Sequence, residues 1–185
     1  MKNLLTLFAI VFTVCFSVCA HNKPETKNDA EKKAIVVFFS ATGTTKSVAE
    51  KIAELADADL LEIVPVRTYT SADLNWRDRK SRSSVEMKNP ESRPAIKDPA
   101  KNAAEYDIIY LGYPIWWNLA PTIVNTYIEE AGLNGKKVVP FATSGGSNIE
   151  NSVANLKKRY PAIDWRNGKL FNNPADKDIA EWILK

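Results

Sequence analysis

The chain has 185 residues, 45% of them hydrophobic and 25% charged, with a net charge of +3 and two cysteines. That is enough for one domain with a sizeable core and too little for two, and the composition is ordinary for a globular protein, so disorder is not the default expectation. The positive charge is too small and too scattered for a nucleic-acid surface, and no stripe of lysine and arginine with interleaved aromatics occurs.

Residues 1–20 have the pattern of a cleavable export signal. Lys2 supplies a positive start, and Leu4 to Val18 is an apolar run of about 15 residues, short for a membrane span. Val18-Cys19-Ala20 puts small side chains at the −3 and −1 positions of a cut before His21. The expectation is an exported, periplasmic protein with no integral membrane span after cleavage; a lipid anchor through Cys19 is the alternative. Cleavage removes both Cys15 and Cys19, so the stability of the mature domain must come from packing without disulfides. The single histidine, His21, opens a polar tail, residues 21–33. A histidine triad, a histidine-bearing zinc site and a cysteine nucleophile are thereby excluded from the domain at 34–185.

Ala34 to Ser40 (AIVVFFS) is a continuous apolar, β-branched and aromatic run, the pattern of a strand buried on both faces. Thr45 to Ala56 carries Val48, Ile52 and Leu55 on one side at helical spacing, with Ala49 and Ala53 beside them. Leu60 to Val64 is a second strand, stopped by Pro65. Val66 to Asn102 breaks the rhythm with three prolines and many charges, and holds a possible helix around Ser71 to Met87. Asp107 to Tyr113 is a third strand. Pro121 is placed as the first residue of a helix that runs through Glu130 and closes at Gly132. Lys137 to Thr143 is a fourth strand despite Pro140. A helix over about 149–160, a weak strand near Trp165 to Leu170 and a helix from about Asp176 complete the chain. Alternating strands and helices imply right-handed crossovers and a doubly wound α/β domain.

Ligands of such sheets bind outside the carboxyl ends of the strands, so the segments after each strand carry the chemistry. After the first strand, Ser40, Thr42, Thr44 and Thr45 surround Gly43 where a helix begins. A helix N-terminus offers unpaired N–H groups and positive dipole, Gly43 allows close backbone approach, and the hydroxyls add donors. With no arginine in the loop, these neutral donors suit a phosphate monoester at one end of a larger ligand. The nucleotide-triphosphatase loop needs a second glycine and the dinucleotide fingerprint needs three, so neither fits. A receiver-type domain would need acidic residues where Phe38, Phe39 and Ser40 stand. After the third strand, Pro114-Ile115-Trp116-Trp117-Asn118 presents large flat surfaces suited to stacking on a planar ring, with one tryptophan expected to pack on the core. After the fourth, Thr143-Ser144-Gly145-Gly146 offers close backbone approach and several N–H donors to ring carbonyls.

Phe38 to Glu54, Leu111 to Pro121 and Pro140 to Ser147, in that order and spacing, resemble the flavodoxin family, particularly its short flavodoxin-like branch; Ser92 to Ile96 (SRPAI) resembles that branch too. The resemblance covers the chain from about Ala34 onward. It implies a five-stranded parallel sheet of order 2-1-3-4-5 and an FMN cofactor. By position, Ser40, Thr42, Gly43, Thr44 and Thr45 would hold the FMN phosphate. Pro114, Ile115, Trp116, Trp117 and Asn118 would run along the isoalloxazine, and Thr143, Ser144, Gly145 and Gly146 would meet its other edge. No catalytic acid or base is implied, because the cofactor carries the redox chemistry. Typical members are strongly acidic, which steers them to basic partners, whereas this chain is slightly basic. Asn118 stands where the family commonly has glycine. The implied activity is electron transfer to a partner protein, or reduction of a small acceptor such as a quinone by an FMN-dependent oxidoreductase. A non-redox binding module at the cell envelope is the alternative. The segment Val66 to Asn102, with Tyr69, Trp76, Met87 and Arg93, either covers the flavin or is a surface excursion.

Overall fold

The computed structural model describes residues 33–98 and 103–184; the export signal and nearly all of the polar tail lie outside the described residues. Among the described residues six strands and five α-helices follow one another as β1 (Ala34–Phe38), α1 (Thr44–Ala56), β2 (Asp59–Glu62), α2 (Arg82–Lys88), β3 (Ile108–Pro114), α3 (Thr122–Ala131), β4 (Lys137–Thr143), α4 (Glu150–Arg159), β5 (Asp164–Trp165), β6 (Lys169–Leu170) and α5 (Asp176–Ile183), with a 3-10 turn at Ala103–Glu105 before β3. The sheet order is β2-β1-β3-β4-β5, all pairs are parallel, and β6 also pairs with β4. The doubly wound sheet and its expected order are present, with the fifth strand split in two. The split lies opposite Val139 and Pro140, because β5 pairs with Lys137 and Val138 and β6 with Phe141 and Ala142. Proline has no N–H to give a neighbouring strand, and the ladder breaks beside it.

The uninterrupted apolar run of β1 is explained by burial on both sides. Ile35, Val37 and Phe39 face one core with Ile123, Val124, Tyr127 and Ile128 of α3 and Val153 and Leu156 of α4. Val36 and Phe38 face the other with Val48, Ala49 and Ile52 of α1 and Ile179 of α5. Strand alternation thus divides one hydrophobic sequence between two layers. Leu55, expected on the buried side of α1, is 42% exposed; the buried stripe runs through Thr45, Val48, Ala49, Ile52 and Ala53, and Leu55 falls past its edge. Pro121 stands one position earlier than expected, as the N-cap of α3 with extended ψ.

The expected helix over Ser71 to Met87 contracts to α2. Asp73 Oδ2 accepts from the Thr70 N–H, Asn75 Oδ1 from that of Arg77, and Asp78 Oδ1 from that of Lys80. These short side chains capture the backbone in successive turns and compete with helix until Ser81 caps α2 by accepting from Ser84 N–H. The whole excursion closes on itself: Val66 N–H donates to Ala95 O at 2.9 Å, Lys97 N–H to Val64 O at 2.8 Å, and Pro65 bridges Ile96. Its return leg lies on α3, where Thr126 Oγ1 donates to Pro94 O and the Arg93 guanidinium pairs with Glu129 at 2.7 Å. That cover explains why Thr122 to Ile128 are all buried.

Candidate functional site

A cleft of about 600 Å³ opens at the carboxyl ends of β1, β3 and β4. It sits where the strand order reverses, the switch point of a doubly wound sheet. All three expected loops reach it: Thr42, Thr44 and Thr45 from the first, Pro114, Ile115, Trp116 and Trp117 from the second, Thr143, Ser144 and Gly145 from the third. Ser40, Gly43, Asn118 and Gly146 belong to the same loops but do not line it. Ala41, Leu74, Trp76, Ser83 and Asn172 line it as well.

The first loop is built to leave amides free. Gly43, at φ 90°, is the N-cap of α1, and its carbonyl takes the first helical bond from Ser47 N–H at 3.0 Å. A side chain at that left-handed φ would be strained. No side chain caps the helix, so the first-turn amides of Thr44, Thr45 and Lys46 keep their donors unspent. The four hydroxyls divide their work. Ser40 Oγ accepts from Gly43 N–H at 3.1 Å and holds the loop. Thr45 Oγ1 shares a 2.8 Å hydrogen bond with Thr143 Oγ1, tying the first loop to the third inside the fold. Thr42 and Thr44 are exposed, and among the described residues their hydroxyls have no partner. Lys46, the nearest cation in sequence, turns to Glu62 at 3.6 Å.

The second loop is a hairpin turn. Trp116 and Leu119 exchange two backbone hydrogen bonds of 2.9 Å, with Trp117 at φ 47° and Asn118 at φ 63° between them. Two consecutive left-handed residues make a type I′ turn, tolerable for asparagine and strained for tryptophan. Asn151 Nδ2 of α4 donates to Asn118 O at 3.2 Å and pins the turn. The two indoles diverge accordingly. Trp116 is fixed edge-on against Phe39 (5.7 Å between centroids) and Tyr69 (5.4 Å). Trp117 is 48% exposed at the cleft. Close packing beneath is secured by Gly112, where a Cβ would fall 2.1 Å from the Phe141 ring.

The third loop keeps fewer free donors than its two glycines imply. Ser144 Oγ accepts from both Gly146 N–H (3.1 Å) and Ser147 N–H (2.7 Å), and Ser144 N–H donates to Asn172 Oδ1 (2.9 Å). Gly145 N–H is the amide left for a ligand. Asn172 follows β6, so its place after a strand end was available from the sequence, although no local motif marked it.

The excursion forms the outer wall. Leu74, Trp76 and Ser83 line the cleft, and Trp76 is 66% exposed. Tyr69 lies behind Trp116, donating to Glu86 at 2.5 Å, while the Arg82 guanidinium covers its ring at 3.9 Å and pairs with Glu86. Burial, then the bond to Glu86, pushes the Tyr69 phenol far above its ordinary range, so it is a fixed neutral prop. Met87 and Arg93 do not reach the lining. Among the described residues no ionisable side chain lines the cleft, and no group of acidic, histidine or cysteine side chains could hold a metal.

A neutral cleft at the switch point, with free helix amides at one end and two indoles at another, defines a doubly wound domain that grips a ligand through neutral donors and flat surfaces. The family model described as Flavodoxin matches residues 33–185, and the chain belongs to the flavodoxin family. A protein from Bacteroides eggerthii, provisionally named a flavoprotein, is 53% identical with a TM-score of 0.81, over 83% of this chain and 96% of its own. A second, from Bacteroides uniformis and named the same way, is 50% identical with a TM-score of 0.81, over 83% and 99%. A flavoprotein from Lactobacillus acidophilus, solved in complex with FMN, shares the fold at 24% identity and a TM-score of 0.64, over 83% and 99%. No curated protein matches the chain significantly.

Proposed function

We propose that the protein binds FMN in this cleft and passes electrons to a small acceptor such as a quinone, or to a partner protein. The observation that carries the reading is a cleft, at the position where the family's fold takes its ligand, that no ionisable side chain lines among the described residues. Such a wall supplies hydroxyls but no acid, and no base to activate them as nucleophiles, so reactivity has to arrive with the ligand. The residues present fit FMN. The amides of Thr44, Thr45 and Lys46 and the hydroxyls of Thr42 and Thr44 are neutral donors for a phosphate, Trp117 and the braced Trp116 are the ring surfaces, and Gly145 N–H is a donor for a ring edge. When bound, FMN supplies the redox chemistry through its ring. The chain's own part is to bind, orient and shield. Without a cation in the lining, negative charge on a reduced ring gains little, which favours a low potential.

The test is the visible spectrum of the purified protein and a titration of its flavin-free form with FMN. Yellow protein or quenched flavin fluorescence, followed by reoxidation of the reduced form by a soluble quinone, is the expected result. A colourless protein that cannot be reconstituted would point instead to a non-redox binding module. We propose that the protein works in the periplasm, a reading supported by the export pattern of residues 1–20; the mass of the secreted chain, beginning at His21 or lipidated at Cys19, checks it.

A further inference from the structure

Four buried side-chain oxygens among the described residues have no hydrogen-bond partner: those of Thr122, Asn125, Tyr127 and Ser83. The first three belong to α3 and do not line the cleft; Ser83 does, at 2% exposure. Its neighbours show that this is specific to the position. Ser81 Oγ donates to Ser84 Oγ and accepts from Ser84 N–H, and Ser84 Oγ donates to Asp78 O. Of the serines around the start of α2, the one that faces the cleft is the one left unmet.

Nor is Ser83 free to turn away with its helix. Its backbone N–H donates to Asp73 O at 2.9 Å, and Asp73 is held by Thr70 and Arg67. One residue earlier, Arg82 is locked between Glu86, the Tyr69 ring and Arg67 O. The excursion therefore fixes an unpaired hydroxyl against a cavity. Burial of an unmet hydroxyl is unfavourable and calls for a partner, and of the four only Ser83 faces a cavity large enough for a ligand to supply one.

We infer that Ser83 is a ligand-contacting residue, and that its hydroxyl hydrogen-bonds an oxygen of the ribityl phosphate chain of FMN held in the cleft. The inference rests on the FMN reading and extends the cofactor site beyond the three sheet-end loops, into the segment between β2 and β3. A serine hydroxyl offers one donor and two acceptor positions, so polyol and phosphoryl oxygens are both suitable partners.

The experiment uses flavin-free wild-type protein and the variants Ser83→Ala and Ser83→Cys, titrated with FMN and with riboflavin by fluorescence quenching, beside thermal melts of the flavin-free forms. Loss of the hydroxyl should weaken FMN binding on the order of fivefold to tenfold. The flavin-free melting temperature of Ser83→Ala should stay at or above wild type, because the variant removes an unmet buried group. A purely structural serine would lower it. Equal losses for FMN and riboflavin support contact with the polyol, and a loss for FMN alone supports contact with the phosphate. Unchanged affinity in both variants, or a weaker affinity matched by a lowered flavin-free melting temperature, overturns the assignment. Failure of wild-type protein to bind FMN would overturn the cofactor reading itself, a result distinct from failure of the variants alone.

Discussion

The hydrogen bond between Thr45 and Thr143 joins the first and third loops, and its energetics are open to a double-mutant cycle. Both side chains are buried, at 1% and 4% exposure, and the oxygens lie 2.8 Å apart. Replacing either threonine by valine keeps the shape and leaves the other hydroxyl buried without a partner, at a cost of about 1–3 kcal/mol. In a chain of this size, each kcal/mol moves the melting temperature by about 2–4 °C. Thr45→Val and Thr143→Val should therefore each melt roughly 2–12 °C below wild type. The double variant removes both hydroxyls together, leaves nothing unmet, and should melt close to wild type. The assay is thermal unfolding of the flavin-free protein followed by circular dichroism. Additive losses in the double variant would refute the claim that the two hydroxyls satisfy each other.

Thr42→Val and Thr44→Val touch exposed, unpartnered hydroxyls, so stability should change by less than about 0.5 kcal/mol. FMN affinity should fall about tenfold or more for each, as expected for lost hydrogen bonds to a charged group, read by fluorescence titration. Trp117→Gly relieves a left-handed φ of 47° that costs about 1–2 kcal/mol for an L side chain, so the flavin-free protein should melt higher while FMN binds more weakly. Acid should loosen the excursion before the sheet. Glu129 is held below its ordinary range first by the bond from Arg93, Glu91 by the bond from Arg159, and Asp73 by its bonds to Thr70. Lowered carboxyl values mean that the stabilisation is complete above the ordinary range near pH 4.5 and is lost as pH falls below it. The amide protection factors of residues 66–98, with the intrinsic pH dependence of exchange divided out, should fall between about pH 5 and pH 3, ahead of those of β1 and β3; a uniform response would contradict this.

The sheet was legible because burial on both faces leaves a loud signal: AIVVFFS can hardly be anything but an internal strand. The sheet-end loops followed from topology, since glycines and hydroxyls placed after such strands meet at one rim. What the sequence concealed was division of labour. Nothing in the order Ser40, Thr42, Thr44, Thr45 tells which hydroxyls the fold consumes, because Thr45 finds its partner 98 residues away. The glycine pair after β4 suggested free amides, but Ser144 takes two of that loop's N–H groups for its own turn. The excursion misled for a related reason. Its apolar residues are spaced compatibly with a helix, yet Asp73, Asn75 and Asp78 each fold the backbone onto themselves locally. Ser83 had no signal at all, since its meaning lies in a partner it lacks.

Val64 to Lys97 leaves and rejoins the body of the protein at a single doorway, Pro65 against Ile96. A handle attached in that way can grow, shrink or be exchanged without shifting the register of any strand, and each doubling of its length adds only about 0.6 kcal/mol of closure entropy. The three sheet-end loops belong to the chassis, whereas the outer wall with Leu74, Trp76 and Ser83 belongs to the handle. Diversification of what reaches the cleft can proceed through this handle while the order of the strands beneath it stays unchanged.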